Sequence, residues 1–208
     1  MKYQYIIAGI GTEIGKTFIS SILTETLEAD YWKPVQSGAL DFTDTDTVKS
    51  LISNSKTVFH PETYRLNEPM SPHAAAAIDG VEIELSKFQL PQTDNHLIVE
   101  LAGGLMVPLN DRETNLDLIK KLNLPVILVS KNYLGSINHT LLSTEILKMN
   151  NIEVKGLIFN GEQNKYSEDF ILNYTKLECL GRVDFEDNID KDVVKRYAEQ
   201  FATKTPSI

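Results

Sequence analysis

The amino-acid sequence predicts an α/β fold, a mostly parallel sheet with helices on both faces, in a single domain over residues 1–208. Three observations carry that prediction. Short apolar runs alternate with stretches of helical period along the chain. At 208 residues, 42% of them apolar, the chain suits one domain that buries its own core without metals or disulfides. Each well-marked apolar run is followed by polar or glycine-rich residues, as in strands whose carboxyl ends line one binding edge.

The first strand is YQYIIAG at 3–9; a glycine turn follows, and Phe18, Ile19, Ile22, Leu23 and Leu27 make one face of a helix. YWKPV at 31–35 is the second strand, with Val48, Leu51 and Ile52 marking a helix beyond it. Residues 54–71 read as irregular, because Pro61, Pro69 and the adjoining Pro72 oppose regular structure. A loop that long in a compact domain is usually functional, and the expected role is a lid. SPHAAAA opens a helix, with Ser71 as its cap and Pro72 in its first turn. HLIVEL at 96–101, PVILVS at 125–130 and VKGLIFN at 154–160 are further strands, and CLGRV at 179–183 is a weaker one. Leu141, Leu142, Ile146 and Leu147 form a second helical face.

Twenty Lys and Arg against 29 Asp and Glu give a formal charge of -9, which repels polyanions. Nucleic acid and anionic membrane are therefore not expected partners, and any bound anion must be held locally. Cys179, the single cysteine, cannot close an intrachain disulfide. The opening MKYQYIIAGI has too short an apolar run for a signal peptide and no stretch approaches a membrane span, so a soluble cytoplasmic protein is expected. His60, His73, His96 and His139 lack zinc-ligand spacing, and no Gly-x-Ser-x-Gly elbow marks a serine hydrolase.

The chemistry begins at AGIGTEIGKT, residues 8–17. Between a strand and an amphipathic helix, its glycines let the backbone turn sharply and point N–H groups inward, as a cradle for phosphates. Gly11, Thr12, Glu13, Ile14 and Gly15 form that cradle; Lys16 adds a mobile charge for the β- and γ-phosphates, and Thr17 a hydroxyl for magnesium. This is the signature of a P-loop NTPase-like domain, although Gly9 and Gly15 bracket five residues rather than four. NKYS at 164–167 lacks the aspartate that would read guanine, so adenine is expected. Ile10 stands where the septum-positioning ATPases carry a second lysine.

Lys33, in KPVQSG, is held extended by Pro34 and either reaches solvent or serves the site, with Ser37 and Gly38 in the next turn. DFTDTDTVKSL offers Asp41, Asp44 and Asp46 ahead of a helix; one of them caps that helix, or Asp46 supplies an oxygen to magnesium. Glu100 in an apolar strand is costly to bury unless paired, protonated or near a cation, and a nearby metal resolves the cost. Gly103 and Gly104 either admit a ligand close to the backbone or make a plain turn.

Together GIGTEIGKT, KPVQSG, EPMSPH, VELAGGLMVPL, PVILVSKNYLGSINH and GLIFN resemble, in order and spacing, the dethiobiotin synthetase family, ATP-dependent carboxylases that close the ureido ring in biotin biosynthesis. The resemblance runs from Tyr5 to about Asn160, and the five-residue loop is that family's form. It implies ATP as co-substrate with Mg2+, a cytoplasmic homodimer, and diaminopelargonate and carbon dioxide as the other substrates. It implies Lys33, Lys16 and Thr12 as catalytic groups, and Thr17, Asp46 and Glu100 around magnesium. Asp46 is preferred to Asp44 because TDT matches the family's Ser-Asp-Ala at the start of that helix. Ser37 would meet the substrate, Gly103 and Gly104 the phosphates, and Asn160 the adenine. Leu134, Gly135, Ser136, Ile137 and Asn138 match a dimer-interface turn whose amides receive the substrate's distant carboxylate from the neighbouring subunit. Three positions depart from the pattern: Gly11 and Leu101, expected at the phosphate edge, and Asp184, expected near the adenine. The rival readings are a nucleotide-sensing domain without ligase activity and a partner-regulated ATPase.

Overall fold

In the computed structural model, which describes residues 2–203, the elements follow the alternation seen in the sequence. They run β1 (Gln4–Gly9), α1 (Lys16–Leu27), β2 (Asp30–Trp32), β3 (Val35–Ser37), α2 (Asp44–Leu51), β4 (Phe59–His60), β5 (Tyr64–Leu66), α3 (Pro72–Asp79), a 3-10 turn at Leu85–Lys87, and β6 (Leu97–Gly104). There follow α4 (Asn115–Leu122), β7 (Val126–Lys131), α5 (Ser136–Met149), β8 (Val154–Asn160), α6 (Lys165–Thr175), β9 (Cys179–Val183) and α7 (Lys191–Ala202). Of the domain expected over 1–208, residues 1 and 204–208 lie outside the described residues.

Seven strands form one sheet in the order β4-β2-β6-β1-β7-β8-β9, and every pairing in it is parallel. Parallel sheets need both faces covered, and this one is. On one face Ile7, Ile98, Ile127 and Ile158 pack with Phe18, Ile19, Ile22, Leu23 and Leu27 of α1, Val48 of α2, and Val194 and Phe201 of α7. On the other, Ile6, Val99, Leu128 and Leu157 pack with Ala75 of α3, Leu118 and Ile119 of α4, Leu147 of α5 and Ile171 of α6. The predicted face of α1 is thus buried in full.

Three local expectations change. The second strand is not continuous through residue 35: Pro34 has no N–H for a ladder and ends β2. Its carbonyl accepts instead from Thr63 and Tyr64 N, and β3 pairs with β5 in a separate two-stranded sheet. Residues 54–71 are therefore not a structureless loop, because β4 extends the main sheet beside β2 and β5 completes the small one. On α5, Leu142 points to solvent, while Ser136, Thr140, Thr144 and Leu147 are buried. The inward hydroxyls are satisfied locally: Thr140 Oγ1 donates to Ser136 O at 2.7 Å and lies 2.9 Å from Ser130 Oγ of β7.

One irregularity shapes the binding edge. Ile7 pairs with Glu100 and Gly9 with Gly104, so a two-residue step on β1 matches a four-residue step on β6. The extra chain bulges beside the first glycine loop, with Gly103 at φ 70.

Candidate functional site

Helix α1 begins at Gly15, which holds φ 89, with no side-chain cap and no acid in the first turn. Its first N–H groups and positive dipole end are thus left for an anion. Glu13 is also left-handed, at φ 57, so the loop has the form of a backbone nest. Gly15 tolerates no side chain: a Cβ there would lie 2.1 Å from Asn160 Nδ2, which donates to Ile14 O at 2.8 Å.

Beside the loop the strand register gathers charge. Tyr31 pairs with Ile98 and Trp32 with Val99, so Lys33, just past the end of β2, falls opposite Glu100 midway along β6, on the face toward α1. Lys33 is 4% exposed and Glu100 1%. Lys33 Nζ lies 3.0 Å from Glu100 Oε1 and 2.5 Å from Asp44 Oδ2. Thr17 Oγ1 lies 2.8 Å from Glu100 Oε1 and 3.2 Å from Asp44 Oδ1, and the Tyr31 hydroxyl donates to Glu100 Oε2 at 2.9 Å. Lys16 Nζ donates to Gly11 O at 2.9 Å.

The two lysines respond differently to the same surroundings. Burial pushes the Lys16 ammonium down to about 8, and the nearby Glu100 offsets this only in part. Burial also opposes the charge on Lys33, but contact with Glu100 and Asp44 outweighs it and holds that pKa above the usual lysine value. Burial, reinforced by Glu100, raises the Tyr31 phenol well above its ordinary range, so it stays a donor.

Lys16, Thr17, Lys33, Asp44 and Glu100 line a cavity of about 720 Å³ with Thr12, Glu13, Gly15, Gln36, Ser37 and Gly103. Ser37 Oγ is buried without a protein partner. Pro69, Met70, Ser71 and Pro72 form the rim, drawn in because Gly38 presents no side chain; a Cβ there would lie 2.6 Å from Pro69 Cα. Of residues 54–71, only 69–71 line the cavity, with Pro72 beside them. Among the described residues no group of three or more His, Cys, Asp or Glu is arranged to hold a metal. Two carboxylates and a hydroxyl nevertheless fit magnesium in its usual nucleotide setting, where phosphates and waters complete the shell.

The expectation for Asp46 is corrected. Its carboxylate accepts from Thr43 N at 3.0 Å and Thr43 Oγ1 at 2.8 Å, while Asp46 N donates to Thr43 Oγ1 at 3.1 Å, a capping box at the start of α2. Asp44, the first residue of α2, is the one that faces Lys33 and Thr17. TDTDT at 43–47 contains the matched triplet twice, and Thr43-x-x-Asp46 is the capping signature that distinguishes them. Gln36 supports Asp44, its Oε1 accepting from Asp44 N at 3.4 Å and its Nε2 donating to Gly38 O at 3.0 Å.

Gly11, Ile14, Gly104 and Asn160 shape the loop rather than line the cavity. Leu134, Gly135, Ile137 and Asn138 line a different depression of about 700 Å³, with Glu162, Asn164 and Ser167, while Ser136 is buried. No residue is common to the two cavities. Leu101 packs into the core on the face opposite Glu100, not at the phosphate edge. Asp184 N donates to Tyr197 OH at 3.1 Å, which closes the turn after β9.

Comparison with known proteins agrees with this fold. The family described as an AAA domain matches residues 3–193. The ATP-dependent dethiobiotin synthetase BioD of Christiangramia forsetii is 51% identical over 201 residues, covering 97% of each chain. Its counterpart from Cytophaga hutchinsonii is 52% identical over 196 residues, covering 94% of this chain and 95% of that one. Among solved structures, the septum site-determining protein MinD of Pyrococcus horikoshii, complexed with Mg-ADP, superposes with a TM-score of 0.63 at 11% identity over 96% of both chains. A putative plasmid partition protein from Borrelia burgdorferi, bound to AMPPNP, gives 0.60 at 11% identity over 100% of this chain and 98% of that one. At such identity the likeness carries the fold alone.

The two aspartates can be separated by experiment, and the state of Lys16 can be read. Asp46→Ala should lower the thermal midpoint by about 2–4 °C, one capping interaction in a chain of this size, and leave the magnesium dependence of nucleotide binding unchanged. Asp44→Asn should raise the magnesium needed for half-saturation about tenfold; equal metal titrations for the two variants would reject this assignment. For Lys16, phosphate favours the charged form, so its pKa rises on binding. Below pH about 8 the group is already charged, whereas above it nucleotide binding takes up a proton and weakens as pH rises. Calorimetry at pH about 8.5 in buffers of different ionisation enthalpy should show that uptake, and Lys16→Arg should abolish it.

Proposed function

The chain belongs to the ATP-dependent dethiobiotin synthetase family, and from that membership we infer the chemistry of the cavity. The protein is an ATP-dependent ligase, a dethiobiotin synthase. In this reading it adds carbon dioxide to diaminopelargonate and closes the ureido ring, converting ATP to ADP and phosphate. The observation that supports this best is the buried cluster of Lys33 with Asp44, Glu100 and the Thr17 hydroxyl, set beside Lys16 at the mouth of a phosphate cradle.

One amine of the substrate takes up carbon dioxide as a carbamate, whose negative charge makes it a poor electrophile. Transfer of the γ-phosphate to a carbamate oxygen forms a mixed carbamic-phosphoric anhydride. The second amine then attacks that carbon, the C–O bond breaks, and phosphate leaves. The protein's part is positioning and charge neutralisation. Loop amides and Lys16 hold the triphosphate; Lys33 faces the carbamate and the γ-phosphate across from it. Thr12 and the unpartnered Ser37 hydroxyl bond the diamine or its carbamate. Gly103 leaves room for phosphate, and the Pro69 to Pro72 rim limits water around the anhydride.

Thr17, Asp44 and Glu100 would hold Mg2+, which when bound offsets phosphate charge. Asn160 commits its Nδ2 to Ile14 O, leaving Oδ1 for adenine. The active form is a cytoplasmic homodimer. The separation of the Leu134 to Asn138 turn from its own chain's cavity supports a role at the neighbour's substrate carboxylate.

Phosphate release from ATP should require both the diamine and bicarbonate; release that ignores them would favour a nucleotide-regulated ATPase. In the same assay Lys33→Met should reduce kcat by about a hundredfold or more while nucleotide affinity moves only a few-fold. Specific activity should also fall as the protein is diluted through its dimer dissociation range, and a fully active monomer by light scattering would exclude the shared site.

A further inference from the structure

We propose that Tyr31 is a positioning residue for the cation site: its buried hydroxyl takes Glu100 Oε2, which turns Glu100 Oε1 alone toward Thr17, Lys33 and the cation. The proposal rests on the reading of Glu100 as a cation ligand.

The geometry follows from register. Tyr31 pairs with Ile98, and Glu100 is two residues beyond Ile98 on the same face of β6. A phenol is long enough to span that step along the strand, and the ring is set against Phe59 at a centroid distance of 6.0 Å. Tyr31 is fully buried, at 0% exposure, so its hydroxyl does not face bulk solvent. Glu100 divides its two oxygens between two kinds of partner: Oε1 meets Thr17 Oγ1 at 2.8 Å and Lys33 Nζ at 3.0 Å, whereas Oε2 meets the Tyr31 hydroxyl at 2.9 Å. A phenylalanine would fill the same space, but it would strand a buried carboxylate oxygen. Glu100 would then gain by rotating to present both oxygens to Lys33, drawing its charge away from Thr17. Tyr31 thus stands to Glu100 as outer hydrogen-bonding partners stand to metal ligands elsewhere, acting without touching the cation.

The test measures ADP binding by calorimetry as a function of Mg2+, with Mn2+ spin resonance as a direct view of the bound ion. The proteins compared are the full chain and its Tyr31→Phe, Glu100→Gln and doubly substituted variants. Tyr31→Phe should raise the Mg2+ concentration for half-saturation about tenfold, change metal-free ADP affinity little, and add nothing further in the Glu100→Gln background. A metal requirement unmoved by Tyr31→Phe but raised by Glu100→Gln would overturn the role of Tyr31 and leave that of Glu100 standing. Effects that simply add in the double variant would also overturn it. A metal titration unmoved by Glu100→Gln would remove the ligand reading and this proposal with it. If Tyr31→Phe alone does not fold, the double variant, which carries no buried charge at position 100, decides: a requirement equal to that of Glu100→Gln supports the proposal, and a higher one overturns it.

Discussion

An ammonium group held out of water between two carboxylates is the constraint on which the site is built. Glu100 lies in the interior of an apolar strand and Lys33 is nearly as buried, so either alone would carry several kcal/mol of desolvation cost. They are tolerable together because β2 and β6 run in parallel register and bring them level. The break at Pro34, which has no N–H for a ladder, lets β3 leave the main sheet, carry Ser37 and meet β5.

Local balance also reconciles an acidic chain with an anionic ligand. The whole molecule carries -9, but at the cavity Lys16 and Lys33 stand against Glu13, Asp44 and Glu100, close to balance. The net field that repels polyanions from the surface is not repeated at the phosphate cradle. The two lysines divide the work by environment rather than by residue type. Lys33 is fixed in charge by direct contact with both acids, while Lys16, tied only to a loop carbonyl, responds to what enters.

Much of this was legible in the sequence because it rests on local signals. The glycine loop, the buried face of α1 and the parallel core strands depend on backbone freedom and apolar period, which a single chain displays openly. The errors fall where polar residues do unexpected work. The apolar pattern gave only part of the inward face of α5: Ile146 and Leu147 pack inward, but Leu142 does not, and Thr140 and Thr144 are buried there with their hydroxyls bonded to helix carbonyls. Asp46 caps α2 while Asp44 faces Lys33 and Thr17, a division that the capping spacing at Thr43 already carried. Two strands between residues 54 and 71 escaped notice because each is too short to show a period, and their prolines sit at the flanks. Tyr31 offered no signal: a tyrosine in a buried strand looks like core until the partner of its hydroxyl is known.

Asn160 closes the P-loop from behind, its amide nitrogen on Ile14 O and its bulk against the bare Cα of Gly15. The side chain proposed to greet the base is therefore also a strut of the phosphate grip. Evolution or an engineer seeking a different nucleobase at this position would loosen the hold on every nucleotide alike, so base preference has to drift through the surrounding turns while this asparagine stays put.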